Sequence, residues 1–155
     1  MVLQSQKKFM HNERIQHMNK IMGIDYGDAR TGVAISDLMR TIVGSTTVVP
    51  SRNTDKAIAE IVRLAKENNV GELVVGLPRN MDGTEGPRAE LCREFADKLG
   101  QAAGLPVHMW DERRTTVEAH NILSQHTYHG QKRKNTVDAV AASLILEGYL
   151  NFLSR

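Results

Sequence analysis

Lys20-Ile21-Met22-Gly23-Ile24-Asp25-Tyr26-Gly27-Asp28-Ala29-Arg30-Thr31-Gly32-Val33-Ala34-Ile35-Ser36 is the stretch on which the fold turns. Lys20 to Asp25 is apolar up to a terminal carboxylate and reads as a strand. Tyr26 to Thr31 has turn composition, and Gly32 to Ser36 reads as a second strand that follows directly. Thr41 to Val49, rich in Val and Thr and stopped by Pro50, is a third. Three strands joined by short links predict an antiparallel meander.

After Pro50 the period changes. Thr54 or Asp55 can cap a helix whose Ile58, Ile61, Val62 and Ala65 share one face, ending near Asn69. Glu72 to Val75 is a short apolar strand. Gly76 through Gly86 is a polar, Gly-rich loop, closed by Pro87 at the start of a helix with Leu91, Phe95 and Leu99 on its buried face. Gly104-Leu105-Pro106 is a turn and Val107 to Trp110 a further strand. Thr115 or Thr116 caps a helix through Leu123. A last helix from about Thr136 presents Val137, Val140, Ala141, Leu144 and Ile145. The order β-β-β-α-β-α-β-α-α predicts an α/β fold: a mixed sheet, three antiparallel strands then two parallel, with helices on both faces.

With 155 residues, 41% of them hydrophobic and 25% charged, one domain with an adequate core is expected, and collagen, coiled coil and wholesale disorder are excluded. The net charge of +2 names no partner. The single Cys92 cannot close a disulfide within the chain and suits a reducing compartment, so a cytoplasmic protein is expected. No apolar run approaches a membrane span or a signal peptide. Residues 1–19 are polar and lack helical period, so they read as a flexible N-terminal extension to a domain at 20–155, with Met18 a possible natural start.

The acids carry the chemistry. Asp25 ends an apolar strand; it could begin the turn by accepting backbone N–H bonds, or it could need a cation. Asp111-Glu112 repeats the arrangement after Val107 to Trp110. Asp138 falls near the expected start of the last helix, where the helix dipole alone would favour a carboxylate. Two strand ends and a helix start, each with an acid, are also what an oxygen-ligand Mg²⁺ or Mn²⁺ site requires, and such ions suit phosphoryl chemistry. The metal ligands expected are Asp25, Asp111, Glu112 and Asp138. Zinc is disfavoured because the six His show no ligand spacing, and a serine triad lacks a Gly-x-Ser-x-Gly elbow. Gly23 to Gly27 also resembles the first phosphate loop of actin-like and sugar-kinase ATPases, but a chain of 155 residues is too short for their two lobes.

No acid lies between Glu118 and Asp138, whereas His126, His129, Lys132, Arg133 and Lys134 fall together. With Gly130 and Gln131 the segment reads as a mobile basic loop suited to phosphates, unless it is a plain solvated connection. Arg30, Arg79, Arg113 and Arg114 could extend the patch, and no aromatic stacking platform accompanies them.

Four motifs in order resemble the YqgF family of RNase H-like proteins, associated with precursor 16S ribosomal RNA nucleases and Holliday-junction resolvases. They are Gly23 to Gly27 with Arg30 to Ala34; Val75 to Pro78 with Asn80 to Gly86; Asp111 to Thr116; and Val137 to Ala142. The match spans about Lys20 to Phe152, and Arg114 departs from the apolar residue that the pattern leads one to expect. The resemblance implies a metal-dependent nuclease for structured nucleic acid, with Asp25, Glu112 or its neighbour Asp111, and Asp138 as the acids, of which Asp25, Glu112 and Asp138 are taken as catalytic. Its substrate would be precursor rRNA or branched DNA, and its state a monomer or homodimer. A noncatalytic nucleic-acid-binding module is the alternative.

Overall fold

The computed structural model describes residues 18–114 and 130–155, with side chains described from Val137 onward in the last helix. Strands β1 (Lys20–Asp25), β2 (Arg30–Ser36), β3 (Val43–Pro50), β4 (Val70–Leu77) and β5 (Val107–Asp111) form one sheet in the order β3-β2-β1-β4-β5. β1 is antiparallel to β2 and β2 to β3, while β4 runs parallel to β1 and β5 parallel to β4. This is the mixed sheet expected from the sequence. Helices α1 (Thr54–Glu67) and α2 (Pro87–Ala103) and the long α3 (Gly130–Leu153) complete it, with a 3₁₀ turn at Glu112–Arg114 after β5.

Strand alternation sorts the core into two layers. Met22 and Ile24 of β1 pack with Val33, Leu73 and Val75 under Ile58 and Ile61 of α1 and Phe95 and Leu99 of α2. Ile21 faces the other way, with Ala34, Val74 and Trp110, under Ala142, Ile145, Leu146 and Tyr149 of α3. On that face the sheet carries glycines, which let α3 come close. A Cβ on Gly23 would stand 2.8 Å from the Leu146 Cβ, and one on Gly32 would overlap the Asp138 carbonyl oxygen.

Several local expectations shift. β2 begins at Arg30 because β3 is long enough to pair it with Pro50. β4 extends to Leu77 because Lys20 of β1 and Asp111 of β5 pair with its ends. The α1 cap is Asn53, whose side chain accepts the Lys56 N–H at 3.0 Å, rather than Thr54 or Asp55. Leu91 is 45% exposed; at 100° per residue it lies about 100° from the centre of the arc made by Ala89, Cys92, Phe95, Ala96 and Leu99.

α3 begins at Gly130, not near Thr136, so the backbone of Lys132, Arg133 and Lys134 is helical rather than a loop. Gln, Lys and Arg are good helix formers, and nothing in that run breaks a helix. The buried stripe of α3 is Ala142, Ile145, Leu146, Tyr149 and Leu150, whereas Val137, Val140, Ala141 and Leu144 are half-buried. A helix apolar on nearly every side leaves periodicity unable to choose the stripe. The helix expected from Thr115 or Thr116 to Leu123 lies outside the described residues, as does the extension apart from Met18 and Asn19. Their carbonyls accept hydrogen bonds from Asn69 and Arg40.

Candidate active site

β1, β4 and β5 are parallel, so Asp25, Leu77 and Asp111 end at one edge of the sheet. Alternation places Asp25 on the same face of β1 as Ile21, the face that α3 covers. Glu112, the first residue of the 3₁₀ turn, reaches back over the same face, where a Cβ on Gly76 would overlap its Oε1. The Asp25 and Glu112 carboxyls come close enough for a proton on one to be shared with the other.

Burial pushes the Asp25 pKa up to about 7, helped by the negative charges of Glu112 and Asp138, while Arg88 opposes the rise. Burial also raises Glu112, against the field of Arg88 and the bond from Asp25. Below about pH 7 the pair therefore favours a proton on Asp25 that can bridge to Glu112, and that proton is lost as the pH rises through about 7.

Asp138 stands about two turns inside α3, too far from the N-terminus for the dipole to account for it. Its partner is Arg30, whose Nε donates to Oδ2 at 3.1 Å. Position 138 is four residues before Ala142, so it continues the buried stripe toward the edge where β1 ends. Asp138 is near enough to raise Asp25, yet among the described residues no three acids stand together as a metal-ligand group. Asp111 turns away: Arg113 binds it through Nη2 at 2.7 Å and its backbone N–H at 2.9 Å, holding the carboxyl below its usual range. The structure thus joins Glu112, not Asp111, to Asp25.

The donor chemistry fits a hard divalent cation. Every candidate ligand is a carboxylate oxygen, and two of them share a proton because they cannot both ionise at low cost. Asp25, Glu112 and Asp138 would hold such an ion, with Asp138 turning from Arg30 to do so.

The basic residues expected to meet phosphate are already engaged. Arg30 pairs with Asp138, Arg113 with Asp111, and Arg79 with Glu85 at 3.4 Å. The side chains of Lys132, Arg133 and Lys134 lie outside the described residues. Arg88 is the residue that sequence reading missed. It binds Asp28 Oδ1 at 2.8 Å and the Tyr26 carbonyl, and its guanidinium lies 5.1 Å over the Tyr26 ring, which itself stacks on Phe95. An Arg directly after the Pro that opens a helix behind a Gly-rich loop was the available signal. Aromatic residues do gather at the β5 side: Trp110, Tyr149 and Phe152 cluster, and the Arg114 guanidinium lies 4.9 Å from the Trp110 ring centroid. Arg114 thus covers an aromatic surface as an apolar side chain would.

Gly76 offers a test of the pair. The atoms nearest to a Cβ there are the far ends of Glu112 and Ile145, both of which can move. Gly76→Ala is expected to fold, with a melting temperature within a few degrees of the parent. It should push Glu112 off Asp25, lower the Asp25 pKa measured by NMR, and reduce catalysis by roughly tenfold or more. An unchanged Asp25 titration would show that the two acids do not interact.

The family model described as "RuvX: Holliday junction resolvase" matches residues 19–152. A protein of Halothermothrix orenii named "Putative pre-16S rRNA nuclease" is 44% identical over 136 residues, covering 88% of this chain and 97% of its own. A protein of the same name from Carboxydothermus hydrogenoformans is 43% identical, covering 88% and 99%. Thermus thermophilus RuvC, in complex with a Holliday junction substrate, has the same fold, with a TM-score of 0.57 at 12% identity over 88% of this chain and 97% of its own. A model matched over nearly the whole described chain, relatives above 40% identity and the RNase H-like arrangement of sheet and helices agree, and the chain belongs to the RuvX family.

Proposed function

We propose that this chain is a metal-dependent nuclease that hydrolyses phosphodiester bonds in structured nucleic acid, maturing the 5′ end of precursor 16S ribosomal RNA. The observation that supports this most is the buried Asp25–Glu112 pair at the carboxyl edge of the sheet, with Asp138 beside it. Asp25, Glu112 and Asp138 are the catalytic acids and hold the cation; Asp111 serves them by anchoring Arg113. A divalent ion, Mg²⁺ or Mn²⁺, supplies Lewis-acid stabilisation of the charge that develops on phosphate oxygens. The chain's own residues do the rest. Arg30 keeps Asp138 oriented until it is needed, and Arg88 opposes the protonation of Asp25 and Glu112. Arg30, Arg79 and Arg113 rim the acids and offset the repulsion of a polyanion.

One nuclease domain at 20–155 and an N-terminal extension at 1–19 remain the reading, as do a cytoplasmic location and a monomer or homodimer. No helix among the described residues is long and apolar enough to cross a membrane.

The test is cleavage of labelled precursor 16S rRNA and of a four-way DNA junction, side by side, with Mg²⁺, Mn²⁺ or EDTA. Cleavage of the RNA with either ion and none in EDTA is expected. The fold shared with a junction-bound resolvase favours the DNA junction as the second reading, and preferential cutting of that substrate would establish it. Binding to both without cutting would mark a noncatalytic module. Millimolar Mn²⁺ or Mg²⁺ should also raise the melting temperature, since a ligand that binds only the folded state stabilises it, and Asp138→Asn should blunt the rise.

Lys132, Arg133 and Lys134 are proposed phosphate contacts on the first turns of α3. Replacing all three with Ala should make the slope of log affinity against log salt shallower by roughly two to three units, at about 0.7–0.9 per contact. An unchanged slope would move the substrate path to Arg30, Arg79 and Arg113.

A further inference from the structure

We propose that Met81 is an apolar wedge that enters the base stack of the substrate beside the scissile phosphate. The inference rests on the nuclease reading above. Met81 is 93% exposed, the largest value among the exposed large hydrophobics of the described residues. A single exposed Met is ordinary on a surface. This one is held at the tip of a braced loop that follows β4, on the edge of the sheet where Asp25 and Glu112 stand.

The loop around it is built to be rigid. The Asn80 N–H bonds the Thr84 carbonyl at 2.9 Å, the Gly83 N–H bonds the Asn80 carbonyl at 2.9 Å, and Asn80 Nδ2 donates to Thr84 Oγ1 at 2.9 Å. Asp82 Oδ1 accepts both the backbone N–H and the hydroxyl of Thr84. Gly83 has a φ of 89°, a conformation that residues with a Cβ rarely adopt. Behind the tip, Glu85 takes two bonds from Arg93 and pairs with Arg79. The tip leans on the site: a Cβ on Gly83 would stand 3.5 Å from Arg113 Nη1, and Arg113 holds Asp111, the neighbour of Glu112. The side chains of Asn80, Asp82 and Thr84 are tied to one another within the loop, and the Met81 thioether is presented outward.

Apolar side chains inserted between base steps unstack and kink nucleic acid, and cations on either side neutralise the phosphates that the kink brings together. Met81 has Arg79 and Arg113 on the same loop and its support, and they would exchange Glu85 and Asp111 for phosphate as the nucleic acid docks past Asp82. The chemistry that recognises it is a stacked, helical nucleic acid with a step that can open, such as a junction or the end of an RNA stem. A base against the Met81 sulfur also gains polarizable contact.

The experiment uses the full chain and an RNA stem carrying the precursor 16S 5′ boundary, with 2-aminopurine placed singly at steps on either side of the cut. In an Asp25→Asn background, which binds without cutting, fluorescence should rise several-fold at one step next to the cut. Met81→Ala and Met81→Gln should abolish the rise and Met81→Leu should restore it. With Asp25 intact, Met81→Ala should cut roughly tenfold or more slowly, with the melting temperature unmoved. An equal rise with Met81→Ala, or no rise at any step while the parent still cuts, would overturn the wedge and leave the nuclease reading standing. A parent chain that neither binds nor cuts the RNA or a four-way DNA junction would overturn both.

Discussion

At pH 8 in EDTA, Asp25→Asn is expected to melt above the parent chain and to cleave nothing. The carboxyl has its pKa pushed up to about 7 by burial and by Glu112 and Asp138, from the 3.8 of a free Asp, so its charge is costly in the folded state. Each unit is worth about 1.4 kcal/mol, so the cost of ionising it is on the order of 2–4 kcal/mol, or roughly 5–10 °C for a chain of this size. The sign follows from linkage. A folded-state pKa above the unfolded one contributes stability that is complete below about pH 4 and is lost as pH rises through about 7. The melting curves of parent and variant should therefore coincide near pH 4, separate up to about pH 7 and stay apart above it. Glu112, raised in the same direction, adds to the loss of parent stability in that window. Catalysis moves the other way, because the amide removes a cation-ligand charge worth several kcal/mol of transition-state stabilisation, on the order of 10³-fold or more in rate. A variant no more stable than the parent at pH 8 would mean that Asp25 is solvated. One that retained parental turnover would remove Asp25 from the chemistry.

Gly32→Ala is the second large effect, and its sign is opposite. The added Cβ would overlap the Asp138 carbonyl oxygen, stand 2.7 Å from the Asp138 carbonyl carbon and press on the Ala142 Cβ at 3.2 Å. Two of those atoms are backbone and cannot swing aside, so α3 must lift from the sheet. The stripe of Ala142, Ile145, Leu146, Tyr149 and Leu150 would then lose packing. Overpacking against backbone is expected to cost about 3 kcal/mol or more and to lower the melting temperature by roughly 6–12 °C. Cleavage should fall further than stability explains, because Asp138 moves with the helix. Gly86→Ala is the control: nothing lies within 4 Å of its would-be Cβ, and its melting temperature should hold. If Gly32→Ala melts with the parent, the close approach of α3 to β2 is not a constraint.

Residues of strong local character could be read directly. The apolar run into Asp25, the Val- and Thr-rich third strand and the Pro87 helix start each declare their element through backbone preference and period. Their order was enough to predict three antiparallel strands, two parallel ones and helices on both faces. The acids were legible as well, since a carboxylate closing an apolar strand is costly unless it has a partner.

Four things only the tertiary structure decided. Asp111 and Glu112 are adjacent in sequence, and composition cannot say which faces Asp25; the turn after β5 sends Glu112 over Gly76 and leaves Asp111 to Arg113. Asp138, expected as a ligand, could also be read as a dipole residue at a helix start until the structure showed that α3 begins at Gly130 and that its partner is Arg30, 108 residues away. Arg88 joined the site because α2 packs on β4 and β5 and stacks Phe95 on Tyr26, the residue after Asp25, a placement no local pattern contains. The stripe of α3 that meets the sheet was set by the glycines beneath it, not by its own periodicity. The physical reason is common to all four: backbone preference is a property of neighbours in the chain, whereas pairing, burial and charge balance depend on residues the chain brings together from far apart.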